Sequence, residues 1–367
     1  MRMMLRSAFD TYTGYGNDAV DMAIWFSKAG VDVVPWPTAL IPGLPKMFTD
    51  LLTKEPGGSG YDLAVGFMPP FALHPDEFAG LARTAIGWTM WEKTPLVPDD
   101  MRGHGWSRVN QRTHYWSKGP KSKPGRHKDW LDRVIVTCHD NVPAFQAIDP
   151  TADYAVCPNG IDPNRWPEIN RSQHGDRPFT FASIGMLGGR KDPFATLEAW
   201  RLAHEMDPQF DARLILKTSC PGLHPGLMDV YPNLEVITNA WPSQQVLEFY
   251  SQVDVLVSTS RGEGNNKPAM EFMSTGGPVM ATNWSGHRNW LHPDTGYPLG
   301  GKLVTWPDGV RQDFRVDIAE TARTFLHCWK NPAEVRRKGE LSARTIRATL
   351  SWEQVCARFL RLASEVM

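Results

Sequence analysis

Two carboxylates eight residues apart dominate the chemistry this chain could do. They stand in Ser260-Arg261-Gly262-Glu263-Gly264-Asn265-Asn266-Lys267-Pro268-Ala269-Met270-Glu271. The apolar run Val253–Val257 precedes them directly. Pro268 suits a first helical position, and Gly276-Gly277 would stop the helix after two turns. The loop Gly262–Lys267 would then present backbone N–H groups at a helix N-terminus, a natural place for a phosphate or an oxyanion. Glu263 in the loop and Glu271 one turn into the helix frame that place with hydrogen-bond acceptors. A ligand rich in both hydroxyls and phosphate, such as a nucleotide-sugar, answers this pattern. The competing interpretation is a capping glutamate followed by a solvated one.

Such a loop needs a strand before it and a helix after it, and the chain supplies that alternation throughout. Apolar or β-branched runs predict strands at Met3–Ser7, Val31–Trp36, Leu63–Phe67, Thr84–Trp88, Val134–Cys138 and Tyr154–Cys157. A second series runs Phe179–Ile184, Arg213–Lys217, Leu234–Ile237, Val253–Val257 and Pro278–Thr282. Helical patterns at Asn17–Ala29, Pro193–Glu205, Ser243–Gln252 and Ile318–Lys330 fall between them. This is the signature of α/β architecture with parallel sheets. The turn-rich stretch Pro158–Pro167 and polar Asn170–Arg177 predict a domain boundary. The division expected is 1–165, 166–349 and a final segment 350–367. Two doubly wound domains of this kind would bring the C-terminal ends of their strands to a shared cleft.

Composition narrows the class. The chain has 367 residues, more than one core usually serves, and its 41% hydrophobic and 22% charged residues exclude wholesale disorder. No apolar run approaches the ~20 residues of a bilayer span, and no hydrophobic signal segment is seen before the first strand. Five scattered cysteines, with no C-x-x-C pair, argue against a disulfide framework or zinc ribbon and point to a reducing, cytoplasmic setting. No G-x-G-x-x-G follows the first strand, which disfavours a dinucleotide oxidoreductase.

The glutamate segment resembles the E-x7-E motif of the retaining family 4 glycosyltransferases, which have the two-domain GT-B fold. Other stretches match in order: Thr13-Gly14-Tyr15-Gly16-Asn17, Met90-Trp91-Glu92-Lys93-Thr94-Pro95, Val156-Cys157-Pro158-Asn159-Gly160-Ile161-Asp162, Ile184-Gly185-Met186-Leu187-Gly188-Gly189-Arg190-Lys191-Asp192 and Leu350-Ser351-Trp352-Glu353. The resemblance implies a transferase that moves a sugar from a nucleotide-sugar to an acceptor hydroxyl with retention. It implies Glu271 on the donor ribose and Glu263 on the donor sugar, with the amides of Gly264, Asn265 and Asn266 near the sugar and β-phosphate. Lys191 would neutralise the diphosphate, with Arg190 beside it and Lys217 as a second cation. Gly14 and Gly16 would let the opposite domain's backbone approach the phosphates, and the last helix would cross back to the N-terminal domain. Retention in this family is attributed to front-face attack, the departing phosphate oxygen taking the acceptor proton.

The sequence departs from the family at Met186, where an arginine is usual, so Arg190 or Lys217 becomes the substitute. The family histidine after the fourth strand is absent; Trp88, Trp91 and Glu92 stand there. Glu92 is open between an acceptor or sugar contact and a capping or ion-paired role. No two aspartates lie two residues apart, so there is no D-x-D metal motif and positive side chains must meet the leaving group's charge. No metal and no cofactor beyond the nucleotide-sugar is expected. His287, in Trp284-Ser285-Gly286-His287, could reach the nucleotide from just past the strand after the motif helix, but reads first as an exposed loop histidine. Trp284, Trp290 and Trp306 read as core or as sugar-stacking surface. A nucleotide-sugar epimerase shares the same layout and is the rival in mechanism.

Between Met101 and Lys128 there is no acidic residue and there are eight cations: Arg102, Arg108, Arg112, Lys118, Lys121, Lys123, Arg126 and Lys128. Trp106, Tyr115 and Trp116 are interleaved, and glycine and proline mark the stretch as a loop. In a chain of net charge −1 such a segment suggests a polyanionic acceptor, with Glu92, Lys121, Lys123, Arg126 and Trp116 as acceptor-side candidates. Nucleic acid carrying a hydroxylated base is one class, its bases stacking on the aromatics. An anionic membrane surface or glycan is another, with saccharide, lipid or protein acceptors also open. A solvated loop is the bland alternative. A nucleic-acid-binding module without catalysis is the rival of another class.

Overall fold

The computed structural model describes residues 1–11, 13–54, 60–92, 116, 130–171, 177–186, 188–218 and 225–367. The chain divides into two compact units: unit 1 is Met1–Gly160 with Leu350–Met367, and unit 2 is Ile161–Thr349. Both are built on six-stranded parallel sheets.

Unit 1 contains β1 Arg2–Phe9, β2 Asp32–Leu40, β3 Tyr61–Phe67, β4 Ala82–Thr89, β5 Arg133–Val136 and β6 Tyr154–Val156, in the order β2-β1-β3-β4-β5-β6. β3 and β4 read as near-continuous apolar runs because both of their faces are buried, as strands inside a parallel sheet require. The helices are α1 Gly14–Lys28, α2 Lys46–Thr49, α3 Asn141–Gln146 and, returning from the end of the chain, α9 Trp352–Ser364. α1 starts at Thr13, whose hydroxyl accepts from the Gly16 amide at 2.9 Å. Asp10 in turn accepts from the Thr13 amide at 2.5 Å and from its hydroxyl at 2.8 Å. Phe359 of α9 stacks on Trp88 at 4.9 Å and meets Phe26 of α1 edge-on at 5.1 Å. Gly160 is fixed as glycine by contact, since a Cβ there would lie 2.5 Å from the Trp352 ring.

Unit 2 contains β7 Thr180–Gly185, β8 Arg213–Thr218, β9 Leu234–Ile237, β10 Val255–Ser258, β11 Val279–Thr282 and β12 Gly296–Leu299, ordered β9-β8-β7-β10-β11-β12. Its helices are α4 Pro193–Met206, α5 Ser243–Tyr250, α6 Lys267–Ser274, α7 Ile318–Lys330 and α8 Pro332–Leu350. Phe181, Trp200, Phe210 and Phe325 interlock in the core, with Phe181 and Phe325 edge-on at 4.8 Å. Truncating such a ring costs ~3–5 kcal/mol in cores generally. The strand order reverses between β7 and β10, and in open α/β sheets that reversal opens a crevice at the strand C-termini.

β12 and an antiparallel hairpin, β13 Gly301–Thr305 with β14 Gln312–Val316, are elements that the sequence pattern does not announce. Pro298 and Gly300-Gly301 punctuate that stretch like a turn. Pro298 is tolerated because β12 is an edge strand, paired among the described residues with β11 alone.

Candidate functional site

The reversal point in unit 2 is where the carboxylate motif falls. β7 ends at Gly185, whose φ of +136° favours glycine, and the chain passes through the short 3-10 turn Gly189–Lys191 into α4. β10 ends at Ser258 and leads through Glu263 into α6. The two loops are tied together: the Arg261 amide donates to the Arg190 carbonyl at 2.9 Å and the Thr259 hydroxyl to the Asp192 carbonyl at 2.8 Å.

Their side chains meet as an ion cluster. Glu263, 3% exposed, lies 2.5 Å from the Lys191 ammonium and 2.9 Å from the Arg190 guanidinium. Arg190 also donates to the Gly262 carbonyl at 2.6 Å. Burial opposes ionisation of Glu263, but Lys191 and Arg190 outweigh it and hold the carboxyl well below the usual range. The cluster thus sets two cations against one carboxylate in the loop that leads into α6. Helix N-termini add partial positive charge of their own.

The loop is supported from behind by a buried polar network. Asn266 holds φ +59° at the N-cap of α6. Its amide nitrogen donates to the Ser258 hydroxyl at 2.9 Å and reaches the His287 Nε2 at 2.9 Å. The His287 Nδ1 lies 2.9 Å from the Thr282 carbonyl, so Nδ1 carries the proton and Nε2 accepts. His287 is not the exposed loop histidine expected from its turn-like neighbours; it is fully buried, and that burial pushes its pKa down to about 4. The Ser285 hydroxyl and Gly286 amide both donate to the Glu263 carbonyl, at 2.7 and 2.9 Å. Asp192, held at φ +45°, and Ser285, at +54°, make with Asn266 three left-handed non-glycine residues around one loop. Such backbone conformations persist where surrounding contacts over-determine them.

The remaining candidates fall in different surroundings. The Asn265 side-chain amide is buried and neither of its polar atoms is hydrogen-bonded among the described residues, while its carbonyl accepts from the Trp290 indole at 2.9 Å. Gly264 packs against Gly286 so tightly that a Cβ on Gly286 would sit 2.1 Å from the Gly264 oxygen. Glu271 is buried on α6 against the Tyr250 hydroxyl, whose ionisation is opposed by burial and then by Glu271. Lys217, at the end of β8, donates to the Asn239 carbonyl and lies 4.6 Å above the Trp241 ring. It has no carboxylate partner among the described residues, and burial lowers its pKa.

In unit 1, Gly14 and Gly16 form the first turn of α1. A Cβ on Gly16 would lie 2.1 Å from the Asp10 carboxylate, so that glycine accommodates an internal acidic group. Glu92 is half-buried next to Tyr15, whose hydroxyl bridges the Met90 amide and carbonyl at 3.1 and 3.3 Å. Trp116 is not an exposed stacking residue. It is fully buried against Phe145 at 5.4 Å, and its amide donates to Asp149 at 2.9 Å. Its place among cations in the sequence conceals a core position. Lys121, Lys123 and Arg126 lie outside the described residues. Of the tryptophans near the motif, Trp290 is buried and Trp284 stacks on Phe314 at 5.9 Å. Among the described residues no group of three or more His, Cys, Asp or Glu could hold a metal ion, and no helix is long and apolar enough to cross a membrane.

The sequence reading missed Asp192, Arg261, Asp313 and Arg315, which pair beside the cluster: Arg261 with Asp192 at 2.8 Å and Asp313 at 3.5 Å, and Arg315 with the same two acids at 3.5 and 3.6 Å. Charged residues dispersed between positions 192 and 315 leave no spacing signal.

No family model matches this sequence and no curated protein matches it either. The likeness is in the fold. The whole chain aligns with 98% of sucrose-phosphate synthase from Thermosynechococcus elongatus at 15% identity and a TM-score of 0.67. It aligns over its full length with all of HepE from Anabaena, solved with UDP and glucose, at 14% identity and 0.64. A glycosyltransferase from Rickettsia africae is matched over 98% of its chain at 10% identity and 0.65. These neighbours are GT-B glycosyltransferases, and the fold of this chain is theirs: a two-domain α/β fold with two parallel six-stranded sheets.

Proposed function

We propose that this chain is a glycosyltransferase that moves a sugar from a nucleotide-sugar donor to an acceptor hydroxyl with retention and without a metal. One observation carries the reading: Glu263, Arg190 and Lys191 converge at the strand-order reversal of unit 2, in front of the α6 N-terminus. That combination suits a ligand with a diphosphate and neighbouring hydroxyls. Arg190 and Lys191 have more donors than Glu263 can engage, so each can serve a phosphate oxygen while keeping the carboxylate in place. Glu263, ionised throughout the working pH range, accepts from sugar hydroxyls. The buried Asn265 amide, which can both donate and accept, serves a second hydroxyl of the same sugar. Glu271 takes the ribose, and Lys217 is the further cation.

In the reaction the bond from the anomeric carbon to the β-phosphate oxygen breaks, and a bond from that carbon to the acceptor oxygen forms on the same face. The acceptor proton passes to the departing phosphate oxygen. Fixed cations lower the barrier by stabilising charge that grows on the leaving group. This supplies the role for which other transferases use a metal, and the absence of a D-x-D motif from the sequence agrees with it.

For the acceptor, the eight cations between Met101 and Lys128 favour a polyanion, with DNA carrying a hydroxylated base as the specific proposal. Incubation with a panel of labelled nucleotide-sugars and acceptors, followed by product analysis, tests the reading. Label transferred to an acceptor supports it; an epimerised donor with no acceptor product establishes the epimerase. Nucleic-acid binding with no nucleotide-sugar affinity establishes a binding module.

A further inference from the structure

The β13–β14 hairpin touches the Glu263 loop from two sides. On one side, the Phe314 amide donates to the Arg261 carbonyl at 3.2 Å, while the buried Asp313 carboxylate lies 3.5 Å from the Arg261 guanidinium. Arg261 also binds Asp192 at 2.8 Å, the residue immediately after Lys191, and Arg315 of β14 closes the ring of charges on Asp192 at 3.5 Å. On the other side, the Phe314 ring stacks on Trp284 at 5.9 Å with the planes 7° apart. Trp284 leads into Ser285 and Gly286, both of which hold the Glu263 carbonyl. Yet β13 itself is exposed along its whole length, so the hairpin meets the rest of the unit through β14. Two arginines and two aspartates balance in charge, so the network adds orientation and no net charge beside Glu263.

We propose that Asp313 and Arg315 are positioning residues, and that the hairpin is a brace. It fixes the loop Ser260–Asn266 against Arg190 and Lys191 and so sets the geometry in which Glu263 meets the donor. This role rests on the donor-site reading above. Its physical logic is that a catalytic group displaced by an ångström loses much of its effect, whereas a buried pair that has lost one partner leaves the other charge uncompensated. Arg261 without Asp313 keeps Asp192 as its one carboxylate partner among the described residues, and Arg315 likewise.

The test uses the full chain with D313N, D313E and R315Q, the last at a half-exposed position. Amide hydrogen exchange is read over 260–266, and binding of UDP, GDP and ADP is measured by calorimetry in parallel. The expectation for D313N and R315Q is exchange in 260–266 faster by about tenfold or more, with exchange in the β7 and β10 cores unchanged and affinity lowered for whichever nucleoside diphosphate the wild type binds. D313E, which restores the charge, returns both readouts toward wild type. Unchanged exchange at 260–266 in both D313N and R315Q overturns the brace, whatever the binding data show. If D313N fails to fold, R315Q alone decides. A wild-type chain that binds none of the three nucleotides overturns the donor-site reading, and the exchange data then still decide the brace on their own.

Discussion

His287 gives the sharpest consequence of the network behind Glu263. It is fully buried, and its folded pKa of about 4 lies below the ordinary 6.5. Burial is the leading cause, opposed by the Glu263 charge and the hydrogen bond to the Thr282 carbonyl. The unfolded chain therefore takes up a proton before the folded chain does. Stability from the neutral imidazole is complete above pH 6.5 and is lost as pH falls from there through about 4. The interval between 6.5 and about 4, at about 1.4 kcal/mol per pH unit, comes to about 3.5 kcal/mol in full, of which about 3 kcal/mol is lost by pH 4. H287Q keeps one donor and one acceptor but cannot titrate. Urea unfolding followed by tryptophan fluorescence, at several pH values from 7 to 4, gives the difference between wild type and variant, in which the carboxylates common to both cancel. That difference should narrow by about 3 kcal/mol across the interval. Parallel pH profiles would refute a buried neutral histidine and with it the hydrogen-bond assignment at Asn266.

Glycine contacts around the loop predict another asymmetry: G286A, forced against the Gly264 oxygen, should lose ~1–3 kcal/mol of stability and most donor affinity, whereas G188A, with open space around it, should melt like wild type. E271A should weaken donor binding about tenfold or more in calorimetry while circular dichroism stays native, since one lost charged hydrogen bond is worth ~1.5–3 kcal/mol; unchanged affinity removes the ribose assignment. Neutralising Lys121, Lys123 and Arg126 together should flatten the slope of log affinity for a DNA acceptor against log salt by ~2–3. An unchanged slope at low salt would remove that segment from acceptor binding.

The sequence announced the candidate site's local structure where its pattern is local. Glu263, Pro268 and Gly276 lie within one strand–loop–helix unit, and the structure returns α6 over Lys267–Ser274 with Gly276 at φ +86°. The adjacent cations Arg190 and Lys191 were legible for the same reason. What the sequence withheld is tertiary. His287 sits among turn residues, and only the packing of Thr282, Asn266 and Trp290 around it reveals a core position, with Trp290 edge-on at 5.2 Å. Trp116 shares its neighbourhood with cations but belongs to the core of unit 1. The ion pairs among Asp192, Arg261, Asp313 and Arg315 join two loops to strand β14 and have no period to detect. Edge strand β12 and the hairpin were hidden by proline and glycine that a sheet edge tolerates and a sheet centre does not.

The central claim is that Arg190, Lys191 and Glu263 grip the diphosphate and sugar of a donor. Calorimetric titration of UDP-glucose and GDP-mannose, with free UDP and GDP, into wild type and an R190A/K191A double variant tests it most directly. Saturable binding of at least one ligand by wild type, weakened about a hundredfold or more in the double variant, is the expected result, two charge-assisted contacts being worth ~3 kcal/mol or more together. Equal binding by both proteins, or no binding of any of these ligands by a folded wild-type chain, would contradict it.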